Sequence, residues 1–162
     1  MTGVTPLPTQ QEVRELVEQL LGRRVDTHVA HEGVDLVRNR ENLAGTFVTD
    51  GGHVNALVMV NVACAARLGA ALGLAPRAAA DDVIKQGILP VQLGENVAEV
   101  LNVAASLFNV EGAPHLRLVN VYGGDVPAPA DVVQWSKKFA PRLDLELDVS
   151  GYGSGIWSIV VV

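Results

Sequence analysis

The sequence has 162 residues and a formal net charge of −6, with 49% hydrophobic but only 4% aromatic residues. Its 18 Asp and Glu outnumber its 12 Lys and Arg, which argues against a surface that neutralises nucleic-acid phosphates. The length predicts a single domain, residues 1–162, with an aliphatic core. Cys64 is the only cysteine, and the sequence shows neither a signal-peptide pattern nor a run of about 18 apolar residues. We therefore expect a cytoplasmic protein without a membrane segment.

The first predicted element is an amphipathic helix over residues 9–21. Thr9 and Glu12 have the spacing of a capping box, in which two side chains satisfy free backbone amides at the start of a helix. Val13 and Val17 recur at helical spacing, and Gly22 is placed to end the helix. One side of this helix is expected to pack on the rest of the protein.

A β-hairpin is predicted next, from residues 44–49 and 54–60, because the intervening Asp50-Gly51-Gly52-His53 is typical of a tight turn. Asn61 is a suitable N-cap for a helix that reaches Leu72. A further short helix is predicted over residues 79–86.

The second half begins with a long central helix over residues 91–110, followed by a strand over residues 116–122. Residues 130–139 predict a short helix with Trp135 and Phe139 on its buried side. Apolar and acidic residues alternate over 143–149, which predicts the first strand of a closing hairpin whose second strand is 156–162. This order indicates an α+β fold, an antiparallel sheet with helices packed against it. The apolar final strand could pair with a second copy, so a homodimer is a further hypothesis.

The central helix carries a polar stripe on an otherwise apolar surface. The stripe consists of Glu95, Glu99, Asn102, Ser106 and Asn109, which recur at steps of four and three residues. Periodicity alone is explained by the solvated side of an amphipathic helix. The short similarity between residues 15–18 and 99–102 is likewise insufficient to establish an internal repeat.

The segment Glu95-x-x-x-Glu99-x-x-Asn102, in this order of elements, resembles the signature of the CheC/CheX family of chemotaxis-type phosphatases. The opening helix, the Leu43–Phe47 strand with its following Gly-rich turn and the helix before the motif are also similar to CheX. The resemblance implies a CheX-like fold and hydrolysis of the aspartyl phosphate of a response regulator.

Residue roles follow from this resemblance. Asn102 would orient the attacking water, and Glu99 would pair with a lysine of the partner. Glu95 and Ser106 would contribute to the partner-binding surface. The chain would need no metal or cofactor of its own, because the partner, a phosphorylated CheY-like receiver domain, would supply Mg²⁺.

Two positions depart from the family pattern. Ser106 stands where family members often have glycine, and the first helix has Glu15-x-x-Glu18 where CheC-type members carry a second Glu-x-x-Asn motif. One active site is therefore expected. The alternative is a non-catalytic signalling or dimerisation module that keeps the fold.

Histidines offer a weaker candidate site. His28, His31 and Glu32 are close in sequence, but no third ligand at zinc-binding spacing accompanies them. We interpret them as surface residues, and we predict no metal site.

Overall fold

The computed structural model describes residues 3–162, in which six strands form one antiparallel sheet accompanied by five α-helices. In chain order the elements are α1 (Gln10–Leu21), β1 (Val25–Val29), β2 (Leu43–Thr49), β3 (Val54–Val60), α2 (Val62–Leu72), α3 (Arg77–Gln86), α4 (Val91–Ala104), β4 (Leu116–Tyr122), α5 (Ala130–Ser136), β5 (Arg142–Val149) and β6 (Gly153–Val161). Across the sheet the strands are ordered β1-β5-β6-β3-β2-β4. The predicted α+β class is confirmed. Among the described residues, no helix combines the length and apolarity needed to cross a membrane.

Local capping explains where the first two helices begin. The Thr9 side chain accepts the N–H of Glu12, and the Glu12 carboxylate accepts the N–H of Thr9, as the capping box predicts. Asn61 Oδ1 accepts the N–H of Cys64 at 2.9 Å and also that of Ile156 at 3.0 Å. Asn61 therefore caps α2 and fastens it to β6.

The ends of two predicted helices were wrong. The α-helix expected over residues 91–110 ends at Ala104 and tightens into a 3₁₀ turn at Ala105–Leu107. The helix expected over 130–139 ends at Ser136, because the guanidinium of Arg142 binds the carbonyls of Ser136 and Lys138. As a result Phe139 is 96% exposed rather than buried.

The predicted role of the final strand was also wrong. β6 lies inside the sheet, where it pairs with β5 on one side and β3 on the other. Both of its hydrogen-bonding edges are occupied, so β6 cannot extend the sheet of a second copy. The sheet ends instead at β4 and at β1, a five-residue strand that the sequence pattern did not predict.

The sheet has a twofold arrangement. If β1, β2 and β3 are matched with β4, β5 and β6, the strand order reads the same from either edge. In each half a helix, α1 or α4, precedes the edge strand, and a long connection leads from that strand to a hairpin. The similarity of residues 15–18 and 99–102 therefore falls on helices in equivalent positions.

The two faces of the sheet have separate cores. On the first face α1, α2 and α4 cover the larger core, which includes Phe47 and the fully buried Trp157. On the second face the connection after β1 contributes Val34 and Leu36, and α5 contributes Val132. The two long connections thus cover the face that the first-face helices leave open.

Helices α2 and α4 approach each other closely at Gly69. A Cβ atom at this position would lie 2.7 Å from the backbone oxygen of Leu93. Gly94 lies on α4 beside Leu93, but a Cβ atom there would meet only the Leu89 side chain, at 3.6 Å. Glycine is therefore required by packing at position 69 and not at position 94.

We predict opposite effects for two Gly→Ala substitutions at this contact. Gly69→Ala should lower the free energy of unfolding by about 1–3 kcal/mol, because backbone atoms must move apart. Gly94→Ala should raise it by about 0.5–1 kcal/mol, because alanine favours a helix and meets no obstacle. Urea denaturation of both variants measures the difference, and equal effects would contradict the close contact.

Candidate functional site

The exposed side of α4 forms the candidate site. Glu95, Glu99 and Asn102 are exposed, whereas Val97 and Leu101 on the opposite side are fully buried. Burial of the apolar side fixes the rotation of the helix about its own axis. The polar side chains are therefore directed to solvent by the packing of their neighbours.

Glu99 and Asn102 lie three residues apart, so they are neighbours on the helix surface, with Cβ atoms about 5–6 Å apart. Within residues 3–162 neither side chain forms a hydrogen bond or an ion pair. Ser106 is exposed as well, but it lies in the 3₁₀ turn beyond the end of α4. The structure thus brings the four predicted site residues to one surface, with Ser106 on a tighter backbone than expected.

The side chain of Asn109 forms hydrogen bonds within the protein, unlike those of Glu99 and Asn102 over residues 3–162. Its Nδ2 donates to the carbonyl of Leu116 at 3.0 Å, and its Oδ1 accepts the N–H of Leu116 at 2.8 Å. The side chain therefore ties the end of the α4 segment to the start of β4. Because Asn109 follows the helical spacing of the polar stripe, this structural role could not be recognised from the sequence.

Two features of α4 were missed by the sequence interpretation. Asn96 Nδ2 donates to the backbone oxygen of Gly69 at 2.9 Å, which locks α4 to α2 one turn before Glu99. Val91 precedes Glu95 by four residues and is 78% exposed, so the exposed stripe begins with an apolar residue. The spacing of four residues between Val91 and Glu95 was the sequence pattern that could have placed Val91 on this stripe.

The equivalent positions of α1 are occupied differently. The Glu18 carboxylate accepts the backbone N–H of Val25 at 3.0 Å, and Glu15 accepts from Gln11 at 2.9 Å. Glu18 thus holds the first residue of β1, much as Asn109 holds the first residue of β4. In the described part of the chain, α1 therefore presents no pair equivalent to Glu99 and Asn102, whose side chains form no hydrogen bond or ion pair there.

A groove of about 1170 Å³ lies on the other side of the sheet, lined in part by His28, His31 and Glu32. No group of three or more metal-ligating side chains is found in the described part of the chain. Asp144 lies in the same groove, paired with Arg142 at 2.8 Å. Burial raises the pKa of Asp144, but hydrogen bonds from Arg142 and Ser158 outweigh it and hold that pKa below its ordinary value. These charges are engaged in fastening α5.

We predict that two asparagines in this region differ in their effect on stability. Asn109→Ala should lower the free energy of unfolding by about 1 kcal/mol, since two hydrogen bonds to Leu116 are lost. Asn102→Ala should change it by less than about 0.5 kcal/mol, because the side chain is exposed and has no hydrogen-bond partner within residues 3–162. Urea denaturation tests both, and a large loss for Asn102→Ala would show that Asn102 also has a structural role.

Comparison with known proteins places the fold. No family model and no curated protein matches the chain. Among solved structures, a FliM–SpeE complex from H. pylori aligns with a TM-score of 0.61 and 9% identity over 93% of this chain and 80% of the matched chain. A FliG–FliM complex from H. pylori gives 0.54 and 9%, over 93% and 85%. A complex of CheX, CheY, BeF₃ and Mg²⁺ from Borrelia burgdorferi gives 0.52 and 10%, over 92% of both chains. The chain therefore has the α+β fold of the CheX and FliM structures, which confirms the fold that the resemblance implied.

Proposed function

We propose that this protein hydrolyses the aspartyl phosphate of a response regulator, and that the exposed side of α4 is its active surface. The observation that carries the proposal is the pairing of Glu99 and Asn102, both exposed and without hydrogen-bond or ion-pair partners among residues 3–162, on a helix whose other side is buried. A side chain that acts on a partner protein must be accessible and free of competing bonds. Both residues meet these conditions.

The CheX structure with CheY supports the class of partner. That complex contains BeF₃, a group that mimics a phosphoryl group, together with Mg²⁺. We infer for our chain a CheY-like receiver domain in its phosphorylated form, encountered in the cytoplasm. The partner would bring its own Mg²⁺.

Asn102 is suited to position the attacking water. Its side-chain amide offers a donor and an acceptor and carries no charge, so it can hold a water molecule in two directions beside an anionic phosphoryl group. The water oxygen attacks phosphorus in line with the aspartyl oxygen, the P–O bond to the carboxylate breaks, and inorganic phosphate and the free aspartate result. Our chain then contributes orientation, and the receiver contributes the metal and the cationic groups.

Glu99 is suited to set the docking register. Its carboxylate is exposed one helical turn from Asn102, where an ion pair with a lysine of the receiver would direct Asn102 towards the phosphoryl group. Glu95 and Ser106 extend this surface on either side. Their proposed role is contact with the partner rather than chemistry.

A second candidate function is a non-catalytic docking module. The FliM complexes with SpeE and FliG align with this chain at least as well as the CheX complex does. On this reading Glu99 and Asn102 are exposed polar groups without a catalytic role. The two functions differ in one measurable quantity, the lifetime of the phosphorylated aspartate.

We predict that the wild-type protein shortens the lifetime of phosphorylated aspartate on at least one receiver domain from the same genome. The substitution Asn102→Ala should slow this hydrolysis about 10²-fold, because the water is no longer positioned. For the measurement, receiver domains are phosphorylated with radiolabelled acetyl phosphate. The loss of the labelled phosphoryl group is then followed over time.

The matched control is Asn120→Ala, which removes another exposed asparagine amide, on β4 rather than α4. It should hydrolyse at the wild-type rate. Equal activity of Asn102→Ala and wild type would reject the catalytic role of Asn102. Absence of any effect of the wild type on all receivers would favour the docking module.

We predict a salt-dependent effect for Glu99→Gln. An ion pair at the surface is screened within about 8 Å at physiological ionic strength, so KM of the wild type should rise as salt is added. The neutral glutamine should raise KM at low salt and remove much of this salt dependence, with a smaller change in kcat. Steady-state hydrolysis from about 0.01 to 0.15 M salt gives KM for both proteins. If KM changed equally with salt in both, the ion pair would be contradicted.

A further inference from the structure

The ion pair of Arg142 and Asp144 is bonded to both segments that cover the second face of the sheet. One segment is the connection over residues 30–42, which we call the strap, and the other is α5. Each side chain of the pair is only 18% exposed. Two hydrogen bonds of 2.8 Å join the guanidinium to the two carboxylate oxygens, so the pair is held in one geometry.

The arginine of the pair holds the end of α5. Arg142 Nη1 donates to the carbonyl oxygen of Ser136 at 3.0 Å and to that of Lys138 at 2.8 Å. Carbonyls at the end of a helix have no partners within the helix itself. Without Asp144 the arginine would be a largely buried cation that lacks a counter-charge. Its movement towards water would release both carbonyls and with them the end of α5.

The aspartate of the pair holds the strap. Ser158 donates a hydrogen bond to the Asp144 carboxylate, and Ser158 Oγ accepts the N–H of Val34 at 2.9 Å. The backbone oxygen of Asp144 also accepts the N–H of Ala30 at 2.9 Å. Since Ser158 is fully buried, the Val34 N–H cannot bind water instead unless the strap opens.

The backbone of the strap lies directly on the pair at Gly33. A Cβ atom at this position would be 2.5 Å from Oδ1 of Asp144 and would also meet Nη2 of Arg142. Neither group can move aside without breaking the hydrogen bonds that join them. The groove of about 1170 Å³ is lined by the strap, by Ser136 and Lys137 and by both members of the pair. The strap and the end of α5 therefore depend on the same two side chains.

The strap and α5 also share one apolar core. Val34 and Leu36 of the strap belong to the same cluster as Val132 of α5. The buried residues of the sheet in this cluster are Ala44, Leu57, Met59 and Val160. The core beneath α1, α2 and α4 is a separate cluster. The second-face core can therefore open without the loss of the larger one.

We propose that Arg142 and Asp144 form a latch, and that the strap and α5 open as one unit when it is released. The two segments are coupled because release of either member leaves the opposite charge largely buried and unpaired. Opening uncovers the apolar second face of the sheet while α1, α2 and α4 stay in place. The latch does not depend on the proposed function, since none of its residues lies on α4.

Amide exchange of the wild type, followed by NMR in urea concentrations below unfolding, tests the coupling. The reporters are the N–H of Val34 and the N–H groups of Val133, Lys137 and Lys138, which all donate hydrogen bonds. They should exchange through one opening, with the same free energy and urea dependence, and α4 should need a larger opening. Different urea dependences for the strap and α5 would overturn the latch. So would an opening equal to that of α4, because the whole protein would then unfold together.

Two substitutions disturb the latch from different segments. Asp144→Asn removes the charge that holds Arg142, and Gly33→Ala introduces a methyl group from the strap. Each should speed exchange at Val34 and in α5 together, by about tenfold or more. Gly33→Ala is the sharper test, because a change in the strap is expected to speed exchange in α5.

The matched controls are Asp148→Asn and Gly51→Ala. Asp148 is an exposed acid on the same strand as Asp144, and a Cβ atom at Gly51 would meet nothing closer than 3.7 Å. Both controls should exchange at the wild-type rate in the strap and in α5. Faster exchange of the strap alone in Gly33→Ala would overturn the latch, as would equal effects of Asp148→Asn and Asp144→Asn.

Discussion

The close contact of α2 with α4 at Gly69 is the constraint on which the candidate site depends. Because position 69 has no side chain, the backbones approach until the Leu93 oxygen fills the space that a Cβ atom would take. Asn96 then donates to the Gly69 oxygen at 2.9 Å, and this hydrogen bond fixes the position of α4 along the axis of α2. Glu99 follows within one turn on the same rigid helix, so its position is set by the packing of backbone atoms rather than by a flexible loop.

A second constraint concerns the edges of the sheet, where unpaired backbone groups invite association with other strands. At β1 the side chains of α1 occupy such groups: Glu18 accepts the Val25 N–H, and Gln10 donates to the Thr27 carbonyl at 3.0 Å. At β4 Asn109 binds both backbone groups of Leu116. Both edges are therefore partly closed by the helix segment that precedes them.

Much of the fold could be predicted from the sequence, because hairpins, caps and helical periodicity are local signals. The hairpin of β2 and β3 and the Asn61 cap followed directly from such signals. β1 was missed because only Val25 of its five residues is buried, so the strand lacks a strong apolar pattern. The interior position of β6 was missed because strand order is not local, and an apolar strand is consistent with both a sheet centre and an exposed edge.

The candidate site was predictable to a similar extent. The prediction missed the role of one residue of the polar stripe for a similar reason. Spacing placed Glu99 and Asn102 on one face, and the structure shows that face exposed. Spacing also placed Asn109 there, but its amide binds Leu116, a residue whose position depends on tertiary structure.

The twofold arrangement of the sheet sharpens the case for a single active surface. α1 and α4 occupy equivalent places, and residues 15 and 18 have the same spacing as residues 99 and 102. In α1 the Glu18 carboxylate is already bound to the backbone of β1, so it is not free for a partner. Even when released, a carboxylate could only accept hydrogen bonds and would repel a phosphoryl group, whereas an amide can both donate and accept without charge. We therefore place the proposed water-positioning chemistry on α4 alone, and the glutamate at position 18 is explained by its hydrogen bond to the backbone of β1.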